Sequence, residues 1–453
     1  MRRNLLKASL AVGDYLVMVA SLSLMLLGRY GVEAFPEWFR EHIVVFAVVF
    51  FVWIITFYVL EMYNINAPYS HRKFLVAMFV NVAIAITSIY AFLDIVDISP
   101  RLNLALMVAI FVPLFYGWRF VFTRTIDAMS ITQAVAIIGS DSHALELARE
   151  IERQKRQGFR VVAIVRDADV DLPAWCCHDS IQVFDSVAEL KSNVVELHIS
   201  TLIVSDNWSK SIYTELYDLI PLRVQFFQLT SFWEQFLESI PIYSAKESWF
   251  LEHFNRGPTK GYAFLKRVID LVAIIAFLPL ILAISGFTAI LVKISSKGPI
   301  LFSQIRVGQN DRHYRLYKFR SMRTDAEANG PQWATERDPR VTAIGRFIRA
   351  TRLDEIPQLY NVLTGDMSLV GPRPERPEFV TELAKEIPHY HLRHLVRPGL
   401  TGWAQVRYRY GASTEDAAVK LTYDLYYVKN VSLVLDIKIA LKTILTVVGR
   451  QGR

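Results

Sequence analysis

The chain has 453 residues, of which 53% are hydrophobic and 13% aromatic, and it carries a formal net charge of +7. The apolar residues are concentrated in the first 125 positions and in one later run, which excludes a single soluble globule and indicates a membrane protein with soluble parts. Much of the lysine and arginine lies beside apolar segments or among glycines and prolines. This distribution favours anionic lipid and phosphate ligands over nucleic acid.

Four apolar stretches open the sequence, and each has about the 20 residues that a helix needs to cross the hydrocarbon core of a bilayer. They are residues 5–28, 43–62, 74–95 and 102–123. Basic residues flank the first, third and fourth stretches. By the positive-inside rule we predict four transmembrane helices within residues 1–125, with the N-terminus and everything after residue 124 in the cytoplasm. Asp14 is interpreted as a polar contact between helices, and a functional intramembrane acid is the alternative.

Short β-branched runs alternate with helical stretches over about residues 133–230, which predicts a small parallel α/β domain. Its first turn begins at Gly139 and keeps only the first glycine of the dinucleotide-binding pattern G-x-G-x-x-G. Asp141 places a carboxylate where a pyrophosphate would approach. We therefore predict a degenerate Rossmann-like fold that serves assembly or regulation, with cofactor binding as the alternative.

A segment rich in aromatic residues, 231–261, is predicted to be an interfacial linker at the membrane surface. The fifth apolar run, Val268 to Val292, follows it and contains Pro279 near its middle. Lysine and arginine stand at both ends of this run, so the positive-inside rule assigns both ends to the cytoplasm. We predict a re-entrant helical hairpin over about 266–293 that is broken at Pro279, with a kinked full crossing as the alternative.

The C-terminal region contains one adjacent acidic pair, Asp354 and Glu355, among many arginines. These are Arg306, Arg320, Arg349, Arg352, Arg373, Arg376 and Arg397. Arginine forks bind phosphate oxygens in pairs, and Lys318 adds a point charge. Two adjacent carboxylates can divide the tasks of attacking phosphorus and holding a divalent cation. The alternative is that they cap a helix starting at Ile356-Pro357, and both interpretations can hold together.

Arg-Pro pairs recur in the segments GPRP (371–374) and RPGLTG (397–402). Rigid prolines and small glycines beside arginine predict a backbone held close against a ligand.

Several motifs of this region closely resemble the bacterial sugar transferases, which are the monotopic phosphoglycosyl transferases. The motifs are KRVIDLV (266–272), FSQIRVG (302–308), YKFRSM (317–322), LDEIPQLYNVLTGDMSLVGPRP (353–374), VRPGLTGWAQV (396–406) and YDLYYVKNVSLVLDIKIALKTI (423–444). The resemblance covers about residues 262–453. The N-terminal spans and the α/β domain are similar to those of the long-form members, which include undecaprenyl-phosphate glucose- and galactose-1-phosphate transferases.

The resemblance implies a mainly α catalytic domain at 262–453 that transfers a sugar-1-phosphate from a UDP-sugar, first of all UDP-glucose, to undecaprenyl phosphate. UMP is released, and the product initiates exopolysaccharide, capsule or O-antigen synthesis. The resemblance further implies that Asp354 is the nucleophile and forms a phosphosugar-aspartyl intermediate, and that Glu355 holds Mg²⁺. The basic positions expected around the phosphates are Lys318, Arg320, Arg349, Arg373 and Arg397. Pro279 matches the break in the family's re-entrant helix.

These expectations place the protein in the bacterial inner membrane as a multi-pass enzyme, with its catalytic domain on the cytoplasmic face. A homodimer through the N-terminal regions is a further expectation. One rival function is a membrane-anchored nucleotide-sugar dehydratase, because Tyr314 and Lys318 fit a Tyr-x-x-x-Lys pattern; the degenerate loop at Gly139 argues against it. Another is a non-catalytic scaffold of a polysaccharide assembly complex, which has no need of Asp354 among arginines. Release of UMP separates the transferase from both.

Overall fold

A computed structural model of the chain describes residues 2–60, 62–63, 74–75, 77–79, 81–82, 100–128, 132–153, 158–166, 172–173, 175, 181–206, 212–254, 257–295, 297–323, 326, 338–408, 411 and 413–448. The chain divides into two compact units. The first comprises Met1–Ser140, Leu145–Leu202 and Tyr213–Gln225, and the second comprises Asp141–Ala144, Ile203–Ile212 and Phe226–Arg453.

Two long apolar helices, α1 (Arg2–Val59) and α2 (Pro100–Ala128), begin the first unit. α1 is interrupted at Gly31, whose φ of 78° lies in the region that favours glycine. The rings of Tyr15 and Phe50 lie 6.2 Å apart, whereas an unbroken helix would separate these residues by about 52 Å. The chain therefore folds back at Gly31, and α1 consists of two segments that pack against each other.

α2 packs against both segments of α1. The rings of Trp53 and Phe111 lie 5.4 Å apart, and Arg119 of α2 forms an ion pair of 2.5 Å with Asp14. Both members of the ion pair are buried. The predicted role of Asp14 as a polar contact between helices is therefore confirmed.

Among the described residues, three helices are long and apolar enough to cross a membrane: Leu5–Val59, Leu102–Thr125 and Leu278–Ser295. The first predicted span lies in α1, the second lies in α1 except for its last three residues, and the fourth lies in α2. Most of the third predicted span, residues 74–95, falls outside the described residues, and the seven described positions within it are helical.

A five-stranded sheet with the strand order β3-β2-β1-β4-β5 follows the apolar helices. Its strands are β1 (Gln133–Ile138), β2 (Phe159–Val165), β3 (Gln182–Phe184), β4 (Ile199–Val204) and β5 (Gln225–Gln228). The connecting helices are α3 (Ser142–Arg153), α4 (Val187–Asn193), α5 (Ile212–Tyr217) and a 3₁₀ turn at Ile220–Leu222. β2 pairs in parallel with β1 and with β3. The predicted parallel α/β region is therefore confirmed.

Asp141 occupies the N-terminus of α3. Its Oδ1 accepts the backbone N–H groups of His143 and Ala144, both at 3.0 Å, and its Oδ2 accepts the hydroxyl of Ser205. A bound phosphate would use the same backbone donors. The carboxylate thus fills this anion position itself, in agreement with a degenerate dinucleotide loop.

The second unit contains the remaining elements. Its helices are α6 (Leu229–Leu237), α7 (Glu247–Phe254), α8 (Lys260–Ala276), α9 (Leu278–Ser295), α10 (Ala343–Ala350), α11 (Gln358–Thr364), α12 (Pro377–Glu386), α13 (Trp403–Arg407), α14 (Thr414–Lys429) and α15 (Leu433–Val448). Its strands are β6 (Leu301–Val307), β7 (His313–Phe319), β8 (Ser368–Val370) and β9 (Gly399–Thr401), and its 3₁₀ turns are Gln309–Asp311, Leu353–Glu355 and Tyr390–Leu395. β6 and β7 form an antiparallel hairpin, and β8 pairs with β9 in parallel.

Residues 231–261, predicted as an interfacial linker, include most of α6 and all of α7. Ile240, Ile242 and Phe250 are buried in a core cluster with side chains of α12 and α14. The indole N–H of Trp403 donates to the main-chain oxygen of Glu238 at 2.8 Å. This stretch therefore contributes buried side chains to the hydrophobic core of the second unit.

The fifth apolar run forms two helices, α8 and α9, with a break at Phe277 (φ −98°, ψ 7°). Pro279 is the second residue of α9. The missing N–H group of proline is tolerated in the first turn of a helix, so the break precedes Pro279 by two residues. The side chains around the break, such as Ile275, Phe277 and Leu280, are apolar and exposed.

Candidate active site

The acidic pair lies in the 3₁₀ turn Leu353–Glu355, between α10 and α11. Arg352 takes a left-handed conformation (φ 55°) before the turn, and Pro357 fixes φ at −60° after it. Asp354 and Glu355 are each only 8% exposed. The N-cap of α11 has no side-chain hydrogen bond, so neither carboxylate caps this helix in the way that the alternative interpretation expected.

Three cations surround the carboxylate of Glu355. Arg373 donates to Oε1 at 2.8 Å, the Nζ of Lys318 lies 3.8 Å from the same oxygen, and the Nη1 of Arg352 lies 3.6 Å from Oε2. Burial alone would raise the pKa of Glu355, but these three cations together hold that pKa well below its usual range. Glu355 is therefore ionised at neutral pH.

Asp354 stands in a different environment, although it is the next residue in the chain. It forms no hydrogen bond or ion pair with any residue that the structure describes. Burial and the negative charge of Glu355 raise the pKa of Asp354 to about 6, against the opposing effect of Lys318, Arg349 and Arg373. Its carboxylate is thus the less stabilised of the two and the more available to react.

The β6–β7 hairpin positions Lys318. Asn361 of α11 accepts the backbone N–H of Tyr317 at 3.2 Å and donates to the oxygen of Arg315 at 2.7 Å. This amide fixes strand β7 against α11, next to the acidic turn. Burial lowers the pKa of Lys318 to about 8, although the charge of Glu355 opposes this effect.

Arg349 and Arg320 are both neighbours of Ser321, the first in space and the second along the chain. Arg349, on α10, donates from Nε to the hydroxyl of Ser321 at 2.9 Å. Arg320 directly follows β7 and is buried. Ser321 was not predicted from the sequence, because a lone serine in a basic segment has no distinctive pattern.

The loop that carries Arg373 is held by close backbone contacts. The N–H of Gly371 donates to the oxygen of Thr401 at 2.8 Å, and the N–H of Gly399 donates to the oxygen of Pro372 at 2.9 Å. A Cβ on Gly399 would clash with the backbone of Gly371. The glycines therefore allow two chain segments to touch each other, which is a different reason from the ligand contact that the sequence suggested.

Two further arginines bind the main chain of the same loop. Arg393 donates to the oxygen of Arg373 at 2.8 Å and pairs with Asp424 at 2.7 Å. Arg306 donates to the oxygen of Pro374 at 3.0 Å. The basic cluster thus divides into cations that face the acidic pair and cations that hold the loop.

The structure brings five of the predicted residues together: Asp354, Glu355, Lys318, Arg349 and Arg373. Arg352 joins them at the acidic turn. Arg397 is different, because its side chain forms no ion pair or hydrogen bond with the described part of the chain.

The donor set of the pair suits Mg²⁺, which prefers carboxylate oxygen ligands and usually retains several waters. Each oxygen of Glu355 already contacts a cation. Binding of Mg²⁺ by Glu355 would therefore displace or share one of those contacts, and the longer distances to Lys318 and Arg352 mark the weaker ones.

Comparison with known proteins gives the following similarities. Residues 261–450 match the family model described as bacterial sugar transferase, and residues 59–212 match one described as CoA-binding domain. The chain is 42% identical over 254 residues to the UDP-N-acetylgalactosamine-undecaprenyl-phosphate N-acetylgalactosaminephosphotransferase of Aeromonas hydrophila, over 52% of this chain and 60% of the relative.

The chain is also 33% identical over 326 residues to the undecaprenyl-phosphate glucose phosphotransferase of Komagataeibacter xylinus, over 69% of this chain and 59% of the relative. It therefore spans about three fifths of the length of each of these two relatives. Similarity to the exopolysaccharide production protein PSS of Rhizobium leguminosarum bv. phaseoli is 42% over 192 residues, covering 41% of this chain and 96% of that relative.

Proposed function

Because the chain belongs to the bacterial sugar transferase family, we propose that it transfers a sugar-1-phosphate from a UDP-sugar to undecaprenyl phosphate and releases UMP. The observation that carries this proposal is the buried pair of Asp354 and Glu355 with Lys318 and Arg373 beside it. Such a site suits a diphosphate, whose negative charge needs several fixed cations.

Asp354 is the proposed nucleophile. One of its oxygens forms a bond to the β-phosphorus, while the bond from that phosphorus to the oxygen bridging the α-phosphate breaks. UMP leaves with the bridging oxygen. An oxygen of undecaprenyl phosphate then attacks the same phosphorus, which gives undecaprenyl diphosphate-sugar and restores the carboxylate of Asp354. The weak stabilisation of this carboxylate supports its role as the attacking group.

Glu355 and the surrounding cations have complementary roles in this proposal. Glu355 stays ionised and offers oxygen ligands to Mg²⁺, which when bound would offset the charge of the diphosphate. Lys318, Arg349 and Arg373 provide fixed positive charge where the phosphate oxygens gather, without reorganising during the reaction. Arg320 and Arg397 are proposed as further phosphate contacts.

The proposed sugar donor is UDP-glucose. One of the relatives named above carries N-acetylgalactosamine in its name and another carries glucose. UDP-glucose and UDP-N-acetylgalactosamine are therefore the two donors whose rates should be compared. The product is proposed to start the synthesis of an exopolysaccharide, capsule or O-antigen.

We propose that α8 and α9 form a re-entrant segment that enters and leaves the membrane on the cytoplasmic side. Lys266, near the start of α8, pairs with Asp436 at 2.8 Å. Val292, near the end of α9, packs in a core cluster with Phe319 and Ile348. Both ends of the apolar run therefore contact the same unit, which a straight crossing would not permit. We also propose that the N-terminal region, residues 1–125, crosses the membrane four times.

The geometry of β7 argues against the dehydratase alternative. Tyr314 and Lys318 lie four positions apart on one strand, which separates them by about 13 Å. They cannot act together on one substrate atom at that distance. A helix would bring residues with the same spacing side by side.

The experiment that tests the proposed function is a UMP-release assay on the purified full chain in nanodiscs. UDP-glucose, UDP-galactose and UDP-N-acetylgalactosamine are each supplied with undecaprenyl phosphate and Mg²⁺. Release of UMP together with a lipid-linked sugar-phosphate is expected for at least one donor, and its loss in Asp354→Asn assigns the activity to this site. A dehydratase or a scaffold would release no UMP.

A further inference from the structure

Three metal-ligating side chains meet on the second unit at a place that the proposed reaction does not use. The turn between β6 and β7 has Asn310 and Asp311 in left-handed conformations (φ 54° and 58°). The N–H of Gly308 closes this turn by donating to the oxygen of Arg312 at 2.7 Å. Asparagine and aspartate are the non-glycine residues that tolerate such a conformation best.

The other two side chains come from the 3₁₀ turn Tyr390–Leu395. His391 and His394 are three positions apart, a spacing that places side chains above one another in a 3₁₀ helix. The Nδ1 of His391 lies 3.0 Å from Oδ1 of Asp311, and the Nδ1 of His394 lies 2.5 Å from the same oxygen. The three potential ligand atoms all lie within 4.8 Å of one another.

We propose that Asp311, His391 and His394 form a binding site for a first-row transition-metal ion, with Zn²⁺ as the expected occupant. Two imidazole nitrogens and one carboxylate oxygen are a common ligand set for Zn²⁺ and its neighbours. Mg²⁺ prefers oxygen ligands alone and would bind here weakly. This site is thus chemically different from the acidic pair proposed to use Mg²⁺.

The two histidine–aspartate contacts need only small movements to admit the ion. Ligand atoms around a tetrahedral Zn²⁺ lie roughly 3.3 Å apart, so each histidine–aspartate contact must lengthen by less than about 1 Å. Asp311 and His391 are exposed and free to adjust, whereas His394 is buried and serves as the fixed ligand. The exposed side leaves room for water to complete the coordination.

Both histidines meet the same carboxylate oxygen of Asp311 through Nδ1. A bound ion would take the place of the protons in these two hydrogen bonds, so metal binding would release protons to solvent.

A bound ion would join the β6–β7 turn to the segment Tyr390–Leu395. The side-chain amide of Gln309 already donates to the oxygen of Leu395 at 3.0 Å, so the two elements are in contact without the ion. The metal would strengthen an existing junction and would thereby raise the thermal stability of the protein.

The test measures metal binding by the full chain in detergent after treatment with a chelator, without any assay of activity. Titration calorimetry with ZnCl₂ is expected to show about one ion per chain, and Co²⁺ is expected to give a visible absorption band that Zn²⁺ abolishes. Asp311→Asn and His391→Ala should each weaken Zn²⁺ binding by at least tenfold. His313→Ala is the control, because His313 is exposed on the same hairpin but outside the cluster.

Thermal unfolding of the same samples checks that each variant is folded. Zn²⁺ should raise the Tm of the wild type and of His313→Ala, and at the same Zn²⁺ concentration it should raise the Tm of Asp311→Asn by less. The proposal is overturned if Asp311→Asn and His391→Ala bind Zn²⁺ as tightly as the wild type does. It is equally overturned if His313→Ala loses as much affinity as they do, or if the wild type binds none.

Discussion

Arg373 donates a hydrogen bond of 2.8 Å to Oε1 of Glu355, while its own main-chain oxygen accepts a hydrogen bond of 2.8 Å from Arg393. The loop and the carboxylate are therefore held together through one residue. The nearest cations lower the pKa of Glu355, whereas burial and then the charge of Glu355 raise the pKa of Asp354, which accepts no hydrogen bond from the described residues.

Replacement of Asp354 by asparagine should abolish catalysis. An amide cannot readily form the acyl-phosphate, so the rate of UMP release should fall on the order of 10³-fold or more. The wild type incubated with UDP-sugar alone should release about one UMP per active site and add a sugar-phosphate mass to the peptide containing Asp354.

The matched control is Asp218→Asn, which makes the same chemical change at an exposed residue paired with Lys191. It should retain full activity. If the wild type releases UMP only when undecaprenyl phosphate is present, and no adduct can be trapped, transfer through a ternary complex replaces the covalent mechanism.

Glu355→Gln should impair the enzyme through a different route. The substitution removes the charge that Arg373, Lys318 and Arg352 now balance, and it weakens a proposed Mg²⁺ ligand. Activity should fall at least tenfold and recover in part at raised Mg²⁺ concentration. Glu386→Gln, at an exposed position, provides the control. Loss of activity that is independent of Mg²⁺ would assign Glu355 a purely electrostatic role.

The pH dependence of turnover should report the ionisation of Asp354. Burial and the charge of Glu355 raise its pKa to about 6, and only the ionised form can attack phosphorus. Activity should therefore decline as the pH falls through about 6. In Glu355→Gln the like charge is absent, so the inflection of the residual activity should move to lower pH. If the inflection of Glu355→Gln lies at the same pH as that of the wild type, it belongs to a group other than Asp354.

The sequence predicted the elements whose pattern is local. Apolar length identified α1, α2, α8 and α9, and the alternation of β-branched runs with helical stretches identified the parallel sheet. The acidic pair was found because adjacent carboxylates among arginines are conspicuous, and its cations Lys318 and Arg373 were found through the motifs that contain them.

The remainder depends on contacts between residues distant in the chain. Nothing local shows that Phe250 packs in a core with α12 and α14, or that Arg393 binds the oxygen of Arg373. The cluster of Asp311 with His391 and His394 joins elements some 80 residues apart. Glycines such as Gly399 were predicted to lie close to a ligand. In the structure Gly399 instead lies against the backbone of Gly371, where a Cβ atom would clash.

Truncation should show that residues before Lys260 are needed for the fold of the second unit. A chain that starts at residue 255 loses the buried side chains of Ile240, Ile242 and Phe250, and their burial contributes roughly 5 kcal/mol. It should aggregate or unfold at lower temperature, while a chain that starts at residue 225 should remain monodisperse in detergent. Size-exclusion chromatography measures the aggregation of each truncated chain, and thermal unfolding measures its Tm. Equal Tm values would show that α6 and α7 contribute no stability.

Ionised Asp354 should lower the stability of the folded protein. Its pKa is raised in the folded state, mainly by burial and then by Glu355, so the folded protein binds the proton more tightly than the unfolded chain does. Protonated Asp354 therefore contributes to the free energy of unfolding at low pH, and this contribution is lost as the pH rises from about 4 to 6. Asp354→Asn carries no charge at any pH. The difference in Tm between variant and wild type should therefore be more positive at pH 7.5 than at pH 5, by roughly 2–5 °C. The same difference at both pH values would mean that ionised Asp354 does not destabilise the fold, and the electrostatic argument for its reactivity would fail with it.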